Sequence, residues 1–172
     1  MGGGWFRRPI NKMVREVYKQ QKYSLIMIFV HFILGILLGK IFGGYFFFIL
    51  GSIFPDFDHL YIILKNKFFN INKIINSIKF EKKFGVKYKT PLFHSIFGLI
   101  LFSIIIYFFN SIGALYFAVA YFSHLLIDWL DIDEKYFFYP LKIKFKGVLP
   151  IWSKSEQILT IILLLLLLIL YW

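Results

Sequence analysis

The residues of this chain best suited to chemistry are two aspartates and a histidine inside an apolar stretch. They are Asp56, Asp58 and His59, which follow Pro55 within an otherwise hydrophobic run over residues 45–64. A charged side chain in the hydrocarbon core of a bilayer costs at least about 2.5–3.5 kcal/mol. Because this run contains no lysine or arginine, a metal ion is the first candidate for the compensating cation.

Four further polar residues lie in apolar surroundings, and with His59 they include every histidine of the chain. They are His31, His94, His124 and Asp128. His124 and Asp128 are four residues apart, so a helix would place them on one face, one turn apart. A single histidine such as His31 could simply be a packed core residue. When all seven residues are considered together, the free-energy cost of burying their unpaired charges predicts a shared metal site.

The donor types indicate which metals would bind and how many. Three carboxylates and four imidazoles, with a bridging hydroxide, match the roughly six to eight ligands that two divalent ions require. Mixed nitrogen and oxygen ligation suits Zn²⁺, Mn²⁺ or Fe²⁺ better than Mg²⁺ or Ca²⁺. Asp58 is the candidate for a bridging or general-base role, and we expect Asp58 and His59 to be the catalytic pair.

The elements that must hold these residues are predicted to be membrane helices. Hydrophobic residues make up 59% of the 172 positions, and the mean hydropathy is +0.72. We therefore predict an all-α, polytopic membrane protein with about five transmembrane helices and additional amphipathic interfacial helices. The spans are predicted at about residues 25–39, 45–64, 92–109, 112–130 and 155–172, with a tight turn at 40–44 and His94 within the first turn of the third span. Pro55 is placed to break or kink the second span.

The remaining segments are basic and partly amphipathic. We predict an interfacial helix over residues 1–24, with a solvated juxtamembrane segment as the alternative, and a single transmembrane domain over 25–172. The basic loops cover residues 65–91 and 131–154. Within the first loop, apolar residues recur at helical spacing over 71–78, which predicts a second helix on the membrane surface.

The distribution of charge predicts partners and orientation. The formal net charge is +11, and 19 of the 20 basic residues, all but Lys40, fall in the N-terminal segment and the two loops. This pattern favours anionic lipid headgroups as partners and not nucleic acid. The positive-inside rule places the N-terminus and both loops in the cytoplasm and the C-terminus outside. The seven polar residues then share one depth, in the cytoplasmic half of the bilayer.

The motifs resemble those of a known family. A histidine in the first span, Gly-x-x-x-Pro-Asp-x-Asp-His in the second, His-Ser at the third and Ser-His-x-x-x-Asp in the fourth are similar to the membrane-bound metal-dependent hydrolases of YdjM type, also described as LexA-binding inner-membrane proteins. The resemblance covers about residues 25–150. It implies metal ligation by His31, Asp56, Asp58, His59, His94, His124 and Asp128.

The chain departs from the family pattern just before the third span. The family usually has His-Arg where this chain has Lys89 and Thr90. We expect Lys87 and Lys89 to act there as point charges for an anionic substrate. Ser95 and Ser123, which adjoin His94 and His124, are candidates for residues that orient the ligand histidines.

These observations predict metal-assisted hydrolysis near the cytoplasmic face, with a phosphoester in a lipid or lipid-linked molecule as the expected substrate. Two other classes of function stay open. A metal-ion or proton transporter would also place His and Asp inside membrane spans. A non-catalytic membrane anchor for a cytoplasmic protein partner would explain the basic loops, although it leaves the buried polar residues without a role. The oligomeric state is left open by the sequence.

Overall fold

A computed structural model describes residues 26–79, 84–130, 134–148 and 154–172. These residues form an all-helical structure, as predicted, with one isolated β-bridge between Lys135 and Phe145. The helices are α1 (Ile26–Phe42), α2 (Tyr45–Ile53), α3 (Phe57–Lys65), α4 (Ile71–Lys79), α5 (Ile96–Tyr107), α6 (Ser111–Trp129) and α7 (Lys154–Tyr171). The interfacial helix predicted over residues 1–24 lies outside the described residues.

Helix α6 is central to the packing of the described bundle. It packs against α2 on one side and α5 on the other, and α1 lies between α2 and α7. One apolar cluster joins α1 to α7 through Val30, Ile33 and Leu163. A second surrounds Phe117 and Tyr121 of α6. Side chains on the buried faces of α6 are therefore enclosed by neighbouring helices.

Small residues allow α2 to approach its neighbours closely. A Cβ atom added at Gly51 would collide with the Phe117 carbonyl oxygen and lie 3.0 Å from the Ala120 Cβ. A Cβ at Gly35 of α1 would likewise meet the Ser52 hydroxyl. Such glycine contacts are typical of helix packing in membranes, where the backbones come close together. They bring the backbone of Ser52 next to α6.

The predicted second span is interrupted at Pro55, and this prediction is confirmed. Helix α2 ends at Ile53, a single 3-10 turn covers Phe54–Asp56, and α3 follows directly. Proline lacks the N–H that an α-helix needs at this point and its ring crowds the preceding turn. The interruption places Asp56 in the turn and Asp58 in the first turn of α3.

Two predicted boundaries are wrong. Helix α1 continues through Lys40 to Phe42, so the turn is confined to Gly43 and Gly44, whose φ angles of 75° and 66° suit glycine. Helix α5 begins at Ile96 because Ser95 caps it, its Oγ accepting the Gly98 N–H at 3.2 Å.

The cap at Ser95 also corrects the position of His94. That residue was predicted within the first turn of the third span, but it lies in the turn over residues 91–94 that precedes α5. Pro91 at the start of this turn disfavours helix for the residue before it. His94 is therefore held by turn backbone and not by a regular helix.

Two described segments are long and apolar enough to cross a membrane, Tyr45–Lys65 and Ser111–Trp129. Shorter apolar segments lie in α1, α5 and α7 (Phe29–Phe42, Ile96–Tyr107 and Ile158–Tyr171). The length criterion is therefore met by two of the five predicted spans. The total of about five spans stays a prediction.

The described parts of the two basic loops are ordered by local contacts. Helix α4 forms over the segment predicted from its apolar spacing, and the Asn70 side chain accepts the N–H groups of Asn72 and Lys73 at its start. In the second loop, hydrogen bonds from Lys144 and Lys146 lower the pKa of Glu134 to about 2. Glu134 therefore stays ionised at any physiological pH.

Candidate metal centre

The seven side chains predicted as ligands meet in one place, although they come from separate parts of the chain. Asp128 of α6 lies among three of the imidazoles. Its Oδ1 is 3.8 Å from His31 Nε2, and its Oδ2 is 3.4 Å from His94 Nε2 and 3.7 Å from His124 Nε2. Residues from α1, α6 and the turn before α5 are thereby gathered around one carboxylate.

The remaining carboxylates extend the same cluster toward α3. Asp58 Oδ1 lies 2.8 Å from His59 Nδ1, and Asp58 Oδ2 lies 3.2 Å from His94 Nδ1. Asp56 Oδ1 lies 3.6 Å from His59 Nδ1 and 3.9 Å from His124 Nε2. The two ring nitrogens of His94 therefore face different carboxylates and join the two parts of the cluster.

The cluster is buried except at one edge. His31, Asp58, His94, His124 and Asp128 are each no more than 2% exposed. The side chains of Asp56 and His59 are 18% and 20% exposed. The rings of His31 and His124 stack with centroids 3.7 Å apart. A ligand would therefore reach the cluster past Asp56 and His59.

A backbone carbonyl fixes the orientation of His124. Its Nδ1 lies 2.7 Å from the Ser52 carbonyl oxygen. Since a carbonyl oxygen only accepts hydrogen bonds, Nδ1 carries the proton in this pair, and in the neutral imidazole Nε2 then has the lone pair. That lone pair belongs to the atom nearest Asp56 and Asp128. Metal-binding histidines usually have this arrangement, with the second nitrogen donating to a carbonyl or carboxylate.

Other groups that hold the site were missed by sequence reasoning. The Thr90 N–H donates to Asp58 Oδ2 at 2.7 Å. The ammonium of Lys135, which belongs to the second basic loop, is buried and donates to the Asp128 backbone carbonyl. The Tyr121 hydroxyl donates to the Phe93 carbonyl at 2.5 Å and so braces the turn that carries His94. Of these, only Tyr121 had a sequence signal, because it lies one helical turn before His124.

Many polar atoms of the cluster lack a hydrogen-bond partner among the described residues. They are His31 Nδ1, Asp56 Oδ2, Asp58 Oδ1, His59 Nδ1, both ring nitrogens of His94, His124 Nε2 and Asp128 Oδ2. Several of these atoms approach one another within 4 Å, so they are close but poorly aligned for hydrogen bonds. Buried polar atoms left in this state are costly unless something binds between them.

A divalent cation fits this donor set. Two groups of three residues have ligand atoms that all lie within 4.8 Å of one another. One is His31, His124 and Asp128, and the other is Asp56, His94 and His124. Mixed imidazole and carboxylate donors suit Zn²⁺, Mn²⁺ or Fe²⁺. The residues present are therefore compatible with the predicted type of metal.

The two lysines predicted to hold substrate are in different situations. Lys89 joins the cluster, with its Nζ 3.2 Å from Asp128 Oδ1. Lys87 is exposed and its Nζ lies 5.0 Å from the ring centroid of Tyr136. The structure thus brings only one of the two lysines into direct contact with the predicted ligands.

The two serines predicted to orient ligand histidines bond to backbone groups. Ser95 Oγ donates to the Leu92 carbonyl at 3.0 Å, in addition to capping α5. Ser123 Oγ donates to the Val119 carbonyl on its own helix at 2.8 Å. Ser95 therefore supports His94 through the turn before α5. An orienting role for Ser123 stays a prediction.

An aromatic residue outside the ligand set packs on His59. The ring of Tyr88 stacks on the His59 ring with a centroid distance of 5.3 Å and an angle of 26°. The Tyr88 hydroxyl is in turn 2.6 Å from Ser77 Oγ, on α4. Tyr88 is fully buried. Helix α4 is therefore connected to the exposed edge of the cluster through one side chain.

Comparison with known protein families identifies a match. A family model described as YdjM inner membrane protein matches residues 26–172. No curated protein and no solved structure matches the chain. The matched range contains all the residues of the polar cluster.

Proposed function

We propose that this chain, which belongs to the YdjM inner membrane protein family as its match over residues 26–172 shows, is a membrane-embedded metal-dependent hydrolase. The proposed substrate is a phosphoester in a lipid or a lipid-linked molecule. The observation that supports this most is the meeting of three carboxylates and four imidazoles, many of whose buried atoms lack a hydrogen-bond partner among the described residues.

The proposed roles follow from position. A bound divalent ion would supply Lewis acidity, activating water and neutralising charge on the attacked group. Asp58 is held by the Thr90 N–H on one oxygen and has its second oxygen 2.8 Å from His59 Nδ1, so we assign acceptance of the proton from the attacking water to Asp58 paired with His59. His59 lies beside Asp58 at the exposed edge, where it can exchange a proton with the leaving group. The buried members His31, His124 and Asp128 hold the ion.

The surroundings of the open edge favour a lipid substrate. The partly exposed Asp56 and His59 are flanked on α3 by Phe57 and Leu60, which are 44% and 55% exposed. In a membrane protein, such exposed apolar side chains face the acyl chains of the lipid. A headgroup could thus enter the cluster from the bilayer while its chains stay in contact with α3, and Lys89 would meet its negative charge.

The proposed topology is multi-pass, with about five spans, the N-terminus and basic loops in the cytoplasm and the C-terminus outside. It is supported by contacts between helix ends. The Lys40 ammonium lies 4.5 Å from the ring centroid of Tyr171, so the C-terminal ends of α1 and α7 are neighbours. Asp128 and His94, by contrast, lie beside the ends of α6 and α5 that lead into the basic loops. The apolar segments of α1, α5 and α7 would be the additional spans.

The proposal is tested by measuring bound metal and hydrolysis together. Protein purified without chelator should contain a divalent transition metal and should hydrolyse at least one lipid phosphate in detergent supplemented with Mn²⁺ or Zn²⁺. Asp58→Asn should lower turnover by about 10²–10⁴-fold, as expected for loss of a general base. His124→Ala should lower both metal content and turnover. Tyr107→Phe, far from the cluster on an exposed part of α5, is the matched control and should leave both unchanged.

Two results would contradict this proposal. One is purified protein that neither contains nor takes up Zn²⁺, Mn²⁺ or Fe²⁺. The other is bound metal without hydrolysis across a broad panel of phosphoesters, accompanied by ion flux in proteoliposomes that His124→Ala abolishes. The second result would identify a transporter, which also requires His and Asp within membrane spans.

A further inference from the structure

The polar cluster contains a cation that belongs to the chain itself. Lys89 Nζ lies 3.2 Å from Asp128 Oδ1, and the two side chains are 14% and 3% exposed. An ion pair so far removed from water is costly to break, because separation leaves a buried charge without compensation. Lys89 therefore occupies one side of the carboxylate that also faces His31, His94 and His124.

Counting charge with Lys89 included changes the expected number of metal ions. The three carboxylates, those of Asp56, Asp58 and Asp128, carry a charge of −3 when ionised. The Lys89 ammonium brings the net charge to −2. One divalent ion then neutralises the cluster if the imidazoles are neutral. A second divalent ion would leave an excess of buried positive charge, which is unfavourable in an apolar bundle. With the buried Lys135 ammonium at the Asp128 carbonyl included, the net charge becomes +1 with one divalent ion and +3 with two, so one ion still leaves the smaller buried charge.

The position of His124 also indicates one metal ion. The two groups of residues that could surround an ion both include His124. Its Nδ1 is occupied by the Ser52 carbonyl, so only Nε2 has a lone pair for a metal. One nitrogen lone pair serves one ion, so the two groups cannot both be filled through His124. A second ion would need the remaining donors, among them the Asp128 oxygen that Lys89 faces.

We infer that the cluster binds one divalent ion per chain and that the Lys89 ammonium stands where a second ion would otherwise balance Asp128. The inference rests on the proposed metal site and refines it. The expectation of two ions considered only the side chains within apolar segments, and left out the loop lysine that the fold brings onto Asp128.

The test is the number of ions bound per chain. Full-length protein in detergent is saturated with Zn²⁺, freed of unbound ion by gel filtration, and analysed by elemental mass spectrometry against protein concentration. Wild-type protein should bind one ion. Lys89→Gln and Lys89→Met should bind two, because both remove the resident cation. Lys89→Arg should bind one, because the charge is retained. Lys87→Gln is the control and should bind one ion, because Lys87 belongs to the same loop but its ammonium lies over the ring of Tyr136.

The results separate this inference from the proposed function. Two ions in wild-type protein, with no change in Lys89→Gln, would overturn the inference and leave the hydrolase proposal intact. One ion in wild-type protein and still one in both Lys89→Gln and Lys89→Met would overturn the role of Lys89. No metal in any of the five proteins would overturn both proposals.

Discussion

His94 illustrates why the cluster is difficult to explain without a cation. Its Nδ1 faces Asp58 at 3.2 Å and its Nε2 faces Asp128 at 3.4 Å. A neutral imidazole has one donor and one acceptor, so it can donate to only one of two ionised carboxylates. The nitrogen without a proton then opposes a carboxylate, which is repulsive unless a second proton or a metal ion binds there. A metal on that nitrogen removes the conflict, which supports His94 as a ligand.

Tyr88 should act as a positioning residue for His59. Its ring stacks on the imidazole, and its hydroxyl is held by Ser77. Partners that orient a metal ligand typically contribute about 10–100-fold to metal affinity. We expect Tyr88→Leu, which removes the ring, to weaken Zn²⁺ binding by about that factor, measured by competition with a chromophoric chelator. Tyr88→Phe should weaken it much less, because the ring stays in place.

Two comparisons make this prediction specific. Ser77→Ala should resemble Tyr88→Phe, and the double variant should be no worse than either single one, since both remove the same hydrogen bond. Tyr136→Leu, another loop tyrosine, should leave affinity unchanged. Equal Zn²⁺ affinity in Tyr88→Leu and wild-type protein would show that the stacked ring does not position His59.

The helices themselves were largely predictable, because their signals are local. Pro55 marked the interruption of the second span, and the four-residue spacing placed His124 and Asp128 on one face of α6. The groups that orient these residues were not predictable. The Ser52 carbonyl and the Thr90 N–H are backbone groups, which every residue has, so the sequence does not distinguish them. Their role depends on where one segment passes another.

The position of Lys89 could not be predicted for a related reason. It belongs to a loop with many lysines, and although it stands where the family pattern has His-Arg, its sequence neighbours do not indicate that it, and not Lys87, contacts Asp128. The path of the turn over residues 91–94 decides which lysine meets Asp128, and that path depends on the Ser95 cap and on the Tyr121 hydroxyl bond to Phe93.

The close approach of α2 and α6 should be required for the site. Gly51→Leu places a side chain against the Phe117 backbone, which cannot move without shifting α6. Overpacking of this kind costs about 1–3 kcal/mol. We expect a lower midpoint of thermal unfolding in detergent, and weaker metal binding as the Ser52 carbonyl moves away from His124.

The control for this prediction uses the opposite side of α6. Ala118 lines a shallow groove of about 420 Å³ between α5 and α6, so Ala118→Leu adds the same kind of bulk where space exists. It should change neither the unfolding midpoint nor metal binding. The proposed dependence on close packing would be contradicted if the Gly51→Leu protein had the same unfolding midpoint and the same metal affinity as the Ala118→Leu protein.

The polar and basic features of the chain are concentrated at one end of the bundle. The His and Asp cluster lies next to the loops that hold most of the described basic residues, and α4 with its flanking Phe69 lies in the first of these loops. Phe69 and Ile71 are 75% and 73% exposed. Exposed apolar residues beside lysines are typical of a segment that rests on an anionic membrane surface. This arrangement agrees with the proposed access of a lipid headgroup from the side of the basic loops.

The orientation of the bundle can be measured by the accessibility of single cysteines, since the chain contains none of its own. Lys73→Cys and Lys144→Cys, one in each basic loop, should react with a membrane-impermeant maleimide only after the cytoplasmic side is opened. Asn110→Cys, in the turn between α5 and α6, should react in intact cells. The reason is that basic segments are retained on the cytoplasmic side during insertion, and 19 of the 20 basic residues are assigned to that side.

The turn at Asn110 makes the measurement decisive, because α5 and α6 pack side by side and their connection lies at the end of the bundle away from Asp128. If α5 and α6 both cross the bilayer, Asn110 and Lys144 must be on opposite sides. Reaction of Lys144→Cys in intact cells, with Asn110→Cys protected, would reverse the orientation and place the polar cluster in the outer half of the membrane. Protection of all three cysteines until the cells are opened would instead mean that neither α5, with only 12 residues, nor α6 spans.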